Sequence, residues 1–493
     1  MRTFDELYFI SDLHLGGAPG CQVFNQGAKL AAFIRYIAER DPGRHVVLVL
    51  GGDIIDFLAF DAPYLKPGDQ ALRLLEQVLA DSEFKQIFEA LAGFLRRPDR
   101  KLVMMLGNHD IELMLPKVRE RLIDELCGQS DEARGRLVFV DDDGGFRCRI
   151  GPSRVVCTHG NEVDSWNLVD YAKLAKRCAC EERGLTPEDW PANAGTRLVI
   201  DVMNQIKRRF PFVDLLKPEV QLVPKIVTIL EPAALGSLSR IAPILYRLVH
   251  GELHFRGLLG GPESGATPSH EEMLDDLLNV PASTSIAASD ARIRIDPLEQ
   301  AASAVREGKT ALDLPEGSTE TLGGAQYIID RLRGVDPQEA LRRALGDWLG
   351  DEQTVQAFNL DKRDEVFMRL ARTVGPQIDF LIAGHTHLAR ALTRPDGRYY
   401  FNAGTWMRIV RLEKAEDLQP QNFGAVYDAL RKGTLEALDQ ARPQIVHSRP
   451  TVVVIAAQAG GATARGTLCE FHDDAQAPLA VIGGPFVIGG GAA

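Results

Sequence analysis

Apolar positions along the chain change period in a regular order. Tyr8, Phe9 and Ile10 form a short apolar run that predicts a strand. Leu30, Phe33, Ile34 and Ile37 then recur at the three- and four-residue spacing of an amphipathic helix. Residues 46–50 are an unbroken β-branched and leucine run, the mark of a strand buried on both faces. Leu72, Leu75 and Leu79, then Phe84, Phe88, Leu91 and Leu95, predict two further helices, and residues 102–106 another buried strand. This β-α-β-α order predicts an α/β layered core with helices packed on a largely parallel sheet.

The pattern changes after His159. Residues 164–183 and 196–210 are helical in period, while 220–249 are apolar but punctuated by prolines. From 256 to 326 there is no Phe, Tyr or Trp. That stretch offers little surface to bury against the entropy of ordering it, and mobility is expected there. Helical periods return at 325–332, 337–349 and 364–373, and apolar runs at 378–382 and 399–401. Residues 423–438 predict a helix, 451–456 and 467–471 a pair of strands, and the Gly-rich stretch 482–493 a frayed tail.

Composition narrows the class. Across 493 residues, 56 Lys and Arg stand against 68 Asp and Glu, a net charge of −12, which argues against a surface built as a whole to bind nucleic acid. The start, with Asp5 and Glu6 ahead of the first strand, does not read as a secretory signal. The most apolar long stretch, 226–249, is broken by Glu231, Pro232, Arg240 and Pro243, so no transmembrane span is expected. Seven thinly spread cysteines, Cys178 and Cys180 read as helix-face thiols rather than a zinc site, lead us to expect a cytoplasmic protein with free thiols.

The chemistry lies at the ends of the apolar runs. Ile10 is followed by Ser11-Asp12-Leu13-His14, Leu50 by Gly51-Gly52-Asp53-Ile54-Ile55-Asp56, and Leu106 by Gly107-Asn108-His109-Asp110. Cys157 is followed by Thr158-His159-Gly160-Asn161, and Ile382 by Ala383-Gly384-His385-Thr386-His387. In an α/β sheet the binding crevice lies outside the carboxyl ends of the strands, so these side chains are expected to converge. Oxygen donors mixed with imidazoles and no thiolate suit Mn, Fe, Zn, Ni or Co. Seven candidates exceed one four-coordinate ion and match two ions sharing a carboxylate, the usual device for attacking a phosphate ester.

D-x-H, G-D-x-x-D, G-N-H-D, H-G and G-H-x-H, in that order, resemble the motifs of the calcineurin-like metallophosphoesterases. The resemblance implies a layered β-sandwich flanked by helices. It implies that Asp12, His14 and His387 bind a first metal, that Asn108, His159 and His385 bind a second, and that Asp53 bridges them. It further implies that His109 acts on the leaving oxygen, that Asp110 orients His109, and that a hydroxide bound at the binuclear centre attacks phosphorus. Two divalent ions are expected, Mn²⁺ first, with Fe, Zn, Ni or Co as alternatives. Asp56 would stand behind the ligands, bracing the loop or a histidine, and helix capping explains it equally well. Asn161 and Asp164 are read as capping the next helix in preference to lining the site. His250 and His254 are read as structural or solvated, and Lys207-Arg208-Arg209 as a solvated helix face. Asn402-Ala403-Gly404-Thr405-Trp406 resembles the segment that follows G-H-x-H in the family and closes the sheet edge near the site.

The resemblance covers about 5–160 and 376–412, and 1–160 and 376–412 are expected to be two parts of one metallophosphoesterase core. Residues 161–375 form a large, mainly helical insertion placed to act as a lid or substrate domain, and 413–493 a C-terminal helix and strands packing on the core. The Gly-His-Thr-His form and the insertion's position also resemble the UDP-2,3-diacylglucosamine hydrolase branch, which however carries Arg at the position of His109 and a much shorter insertion. The expected activity is hydrolysis of a phosphate ester or pyrophosphate on a small or lipid-linked substrate. A nuclease of the same superfamily acting on DNA or RNA is the alternative, and a non-catalytic protein-binding scaffold, disfavoured by the presence of His109, is the third.

Overall fold

The structure, a computed structural model, describes residues 1–60, 68–188, 190, 192–217, 226, 229–230, 334–350, 356–411, 419–442, 445–473 and 476–489. The expectations for 220–249, 256–326 and 325–332, and for His250 and His254, concern residues outside this set, apart from 226 and 229–230. The chain divides into two compact units. One comprises residues 1–200, 356–408 and 448–493, the other 201–355 and 409–447.

In chain order the strands are β1 (Arg2–Phe4), β2 (Glu6–Ile10), β3 (Val46–Gly51), β4 (Arg100–Met105), β5 (Leu137–Val140), β6 (Phe146–Ile150) and β7 (Ser153–Cys157). They continue with β8 (Phe380–Ala383), β9 (Arg390–Thr393), β10 (Tyr399–Asn402), β11 (Arg408–Val410), β12 (Val446–Ser448), β13 (Thr451–Ala457), β14 (Thr463–Phe471) and β15 (Leu479–Gly489). The first unit holds two large sheets. A seven-stranded sheet has the order β15-β14-β13-β2-β3-β4-β5, and a six-stranded sheet the order β1-β6-β7-β8-β10-β9. β2, β3, β4 and β5 run parallel, with Phe9 opposite Val49 and Val49 opposite Val103. β7 and β8 are parallel in the other sheet, with Cys157 opposite Ile382.

Side chains alternate across a strand, and here both faces are buried. Val47 and Val49 of β3, with Phe9 and Val103, pack against Val155, Phe380, Ile382 and Phe401 of the second sheet. The neighbouring residues Val46, Leu48 and Leu50 pack against helices α1 (Gly27–Ala38), α2 (Gly68–Ala80), α3 (Ser82–Arg96) and α4 (Pro116–Cys127). The outer face of the second sheet, through Leu381 and Tyr400, is covered by Phe367 and Leu370 of a helix at Glu365–Thr373. The layers are helix, sheet, sheet, helix. The unbroken apolar runs therefore mark strands covered on both sides, as expected of parallel strands in a layered α/β fold.

Two sequence expectations change. The helix expected from 164 begins at Tyr171, with Asp170 as its N-cap. Most of the tail expected to fray is strand: β15 pairs antiparallel with β14, and Phe486 stacks on Tyr399 at 4.4 Å between ring centroids. In the second unit, a helix at Pro337–Gly350 packs on one at Pro420–Lys432, which ends at Gly433 in the left-handed conformation and packs on Leu435–Gln440. Among the described residues no helix is long and apolar enough to cross a membrane.

Trp406 ties the helical layer to the C-terminal strands. It is fully buried, stacks near Phe33 and Phe471, and donates its indole N–H to the Thr451 carbonyl at 2.9 Å. Replacing it with Ala is expected to cost about 3–5 kcal/mol through the cavity left behind. Trp406→Phe, which leaves a smaller cavity and the carbonyl without its donor, is expected to cost less, about 1–3 kcal/mol. Urea unfolding of the two variants checks the order.

Candidate metal centre

Five strands deliver side chains to one end of the two sheets. The loops after β2, β3 and β4 carry Asp12 and His14, Asp53, and Asn108 and His109. Those after β7 and β8 carry His159, and His385 and His387. The loops are stitched together by main-chain bonds: Asp12 N–H to Gly52 O, His14 N–H to Asp53 O, and Gly384 N–H to His159 O. Glycine is required where they crowd. A Cβ on Gly107 would lie 2.1 Å from Asp53 Oδ1, and one on Gly52 2.5 Å from His159 Nδ1.

The backbone is strained at this point. Among the described residues, the non-glycine positions with positive φ are Asp12, His14, Asp53, His385 and His387, at 48° to 70°. Left-handed backbone costs an L-residue roughly 1–2 kcal/mol, and such strain concentrates at functional sites. All five belong to the set read as metal ligands from the sequence.

The donor atoms fall into groups that could each hold an ion. Asp12, His14, Asp53 and His387 offer atoms within 4.8 Å of one another, and so do Asp53, His159 and His385. Asp53 is common to both groups. His14 Nε2 and His387 Nε2 stand 3.0 Å apart, and His387 Nε2 is 3.3 Å from Asp12 Oδ1.

His159 tests the fit. It is fully buried, and its Nδ1 lies 2.8 Å from the Gly51 carbonyl, which can only accept. The Nδ1 therefore carries the proton, and the neutral ring points a lone pair from Nε2. That Nε2 sits 3.2 Å from Asp53 Oδ2 yet makes no hydrogen bond, and the buried Oδ1 of Asn108 has no hydrogen-bond partner either. Acceptor facing acceptor, away from water, calls for a positive charge between them, either a second proton or a metal ion.

Without metal the proton takes that place. Burial disfavours a charged His159, but Asp53 and then Asp12 outweigh it and push the imidazole up to about 10. Asp53 is raised by burial but held well below the usual carboxylate range by His159, His109 and His14. Asp12 is lowered in the same way, chiefly by His387.

Around these groups stands a layer of hydrogen bonds. Asp12 accepts the His385 N–H on its carboxylate and the Thr405 hydroxyl on its carbonyl. Asn402 Nδ2 donates to Gly384 O. Asp56 reaches two imidazoles, His14 Nδ1 at 3.1 Å and His109 Nδ1 at 3.0 Å, and also caps the short turn Phe57–Ala59. Both roles considered for Asp56 are present.

Asp110 differs from expectation. Its two oxygens accept the N–H groups of Gly107 and Ile54 at 2.7 Å each. Burial, then the charge of Asp53, pushes it up to about 7. It binds the loop after β3 to the loop after β4, and the carboxylate on the His109 ring is that of Asp56. Asp164, read as a helix cap, instead meets His385 Nε2 at 2.9 Å, and burial fails to offset that contact, so its carboxyl falls to about 2. The segment 402–406, expected near the site, meets it through Asn402 and Thr405, and Asp164 takes the site-lining place that was weighed against capping.

An α/β sandwich with an Asp- and His-rich cluster at its strand ends is the class this geometry defines. The calcineurin-like phosphoesterase family model matches residues 6–210, so this part of the chain is similar to the calcineurin-like phosphoesterases. Family and cluster together support a metal-dependent phosphoesterase acting on a phosphorylated substrate. The more particular resemblance to UDP-2,3-diacylglucosamine hydrolases receives no support from these comparisons. No curated protein matches the sequence.

Binding a metal at His159 requires that the imidazole lose its second proton. With that proton held up to about 10 by Asp53 and Asp12, apparent metal affinity is expected to rise steadily from pH 6 to pH 9. Calorimetric titration in buffers of different ionisation enthalpy should show proton release on binding. Affinity independent of pH would contradict the assignment.

Proposed function

We propose that the protein hydrolyses a phosphate ester or pyrophosphate bond at a binuclear centre. Asp12, His14 and His387 would hold one divalent ion, Asn108, His159 and His385 a second, and Asp53 both. The observation that carries this reading is the pair of donor groups sharing Asp53, with the buried acceptors of His159 and Asn108 left without hydrogen bonds. When bound, two such ions, Mn²⁺ in the first instance, acidify a water and neutralise charge on the phosphoryl oxygens.

The chain's own residues supply the rest. His109 lies beside the first group, its ring centroid 4.8 Å from that of His14. Asp56 accepts from its Nδ1 and favours the protonated ring, so Nε2 can carry a proton to the leaving oxygen. Asp56 also accepts from His14 Nδ1, which leaves the His14 lone pair on Nε2, the atom that would hold an ion. Asp110 keeps the loops of Asp53 and Asn108 in register through two main-chain bonds. Histidine at 109, with its ring proton held by a buried carboxylate, favours catalysis over a scaffold role.

Metal-stripped protein supplied with Mn²⁺ is expected to hydrolyse p-nitrophenyl phosphate or its bis ester, and relative rates on the two and on a pyrophosphate assign the bond cleaved. His109→Ala should lose about 10²–10⁴-fold in kcat with metal content intact, the range for loss of a general acid. Asp53→Asn should lose both activity and metal. Wild-type activity in His109→Ala would remove the proposed role of that residue, and no metal-dependent turnover on any phosphate ester would overturn the reading.

A further inference from the structure

We infer that Asp164 is a positioning residue for the second metal ion, acting through His385. The inference rests on the binuclear reading above. His385 Nε2 lies 2.9 Å from Asp164 Oδ2, although the two residues are 221 apart in sequence. A carboxylate accepts and does not donate, so this contact fixes the ring proton on Nε2 and leaves the lone pair on Nδ1. His385 is one of the three residues of the second donor group, and a ligand imidazole is held in tautomer and orientation by the carboxylate behind it.

Asp164 is itself held. Its Oδ1 accepts the Trp166 N–H at 3.0 Å, and its Oδ2 also accepts Asn167 Nδ2 at 2.7 Å. The turn preceding it is clamped by Arg369, whose Nη1 donates to Val163 O at 2.8 Å. A side chain tied down on both oxygens and carried on a braced turn can set the ring it touches. Capping of the following helix does not explain it, because Asp170 fills that place. Asp56 stands in a corresponding relation to His14 of the first group. Each donor group thus contains an imidazole with a buried or largely buried carboxylate behind it.

The test is a Mn²⁺ titration of metal-stripped full-length protein. Bound metal is counted by elemental analysis, and the two-ion state is read from the spin-coupled electron paramagnetic resonance signal. Wild type should bind two ions per chain. Asp164→Asn keeps the side chain's size and an oxygen for the Trp166 N–H but removes the charge. It should bind the first ion as wild type does and the second about 10–100-fold more weakly. Excess Mn²⁺ should restore its coupled signal. Asp164→Glu should recover part of the loss. In a His385→Ala background, where the second site is already weakened, Asp164→Asn should have no further effect, which a general structural role would not predict.

Second-site affinity within twofold of wild type in Asp164→Asn, or an equal further loss in the His385→Ala background, would overturn the inference and leave the binuclear reading standing. Wild type that binds fewer than two ions would overturn the binuclear reading itself and this inference with it.

Discussion

Buried acceptors that face one another need a positive charge between them, and the rest of the site is arranged around that need. Asp53 Oδ2 and His159 Nε2 lie 3.2 Å apart without a hydrogen bond, with Gly51 O fixing the proton on the far side of the ring. Relaxing the loops would separate them. Instead the backbone holds Asp12, His14, Asp53, His385 and His387 in left-handed conformations that disfavour L-residues. The surrounding packing over-determines these loops: the central strands β2, β3, β4 and β8 that lead into them are buried on both faces, and main-chain bonds cross from loop to loop.

Topology makes this arrangement possible. Parallel strands in each sheet send their carboxyl ends to the same edge, and the two sheets face one another across a shared apolar layer. Residues as far apart in sequence as Asp12 and His387 therefore meet close to their strand termini. Glycine permits the final approach, since a Cβ at Gly52 or Gly107 would overlap the very donors that converge. The same crowding explains why glycines flank the site in the sequence.

Much of this architecture is legible in the amino-acid sequence. Unbroken apolar runs such as 46–50 and 102–106 identify strands covered on both sides, and the chemistry that follows each run is local to the motif. Contacts between motifs are not legible in the same way. Asp110 adjoins His109 in sequence, yet Asp56 of the loop after β3 reaches the ring, while Asp110 accepts from main-chain N–H groups. Asp164 looks like a cap from its neighbours alone, and only the approach of the loop after β8 gives it His385. The C-terminal strand is masked by its glycines. It forms because β14 supplies the pairing and Tyr399 a partner for Phe486, neither of which local composition can report.

The central claim is that these strand ends hold two ions that share Asp53. The most direct measurement is anomalous X-ray diffraction from crystals of the protein loaded with Mn²⁺, collected on both sides of the manganese edge. Two anomalous peaks about 3.5–4 Å apart are expected, one among Asp12, His14 and His387, the other among Asn108, His159 and His385, with Asp53 touching both. A single peak, or peaks away from Asp53, would contradict the claim.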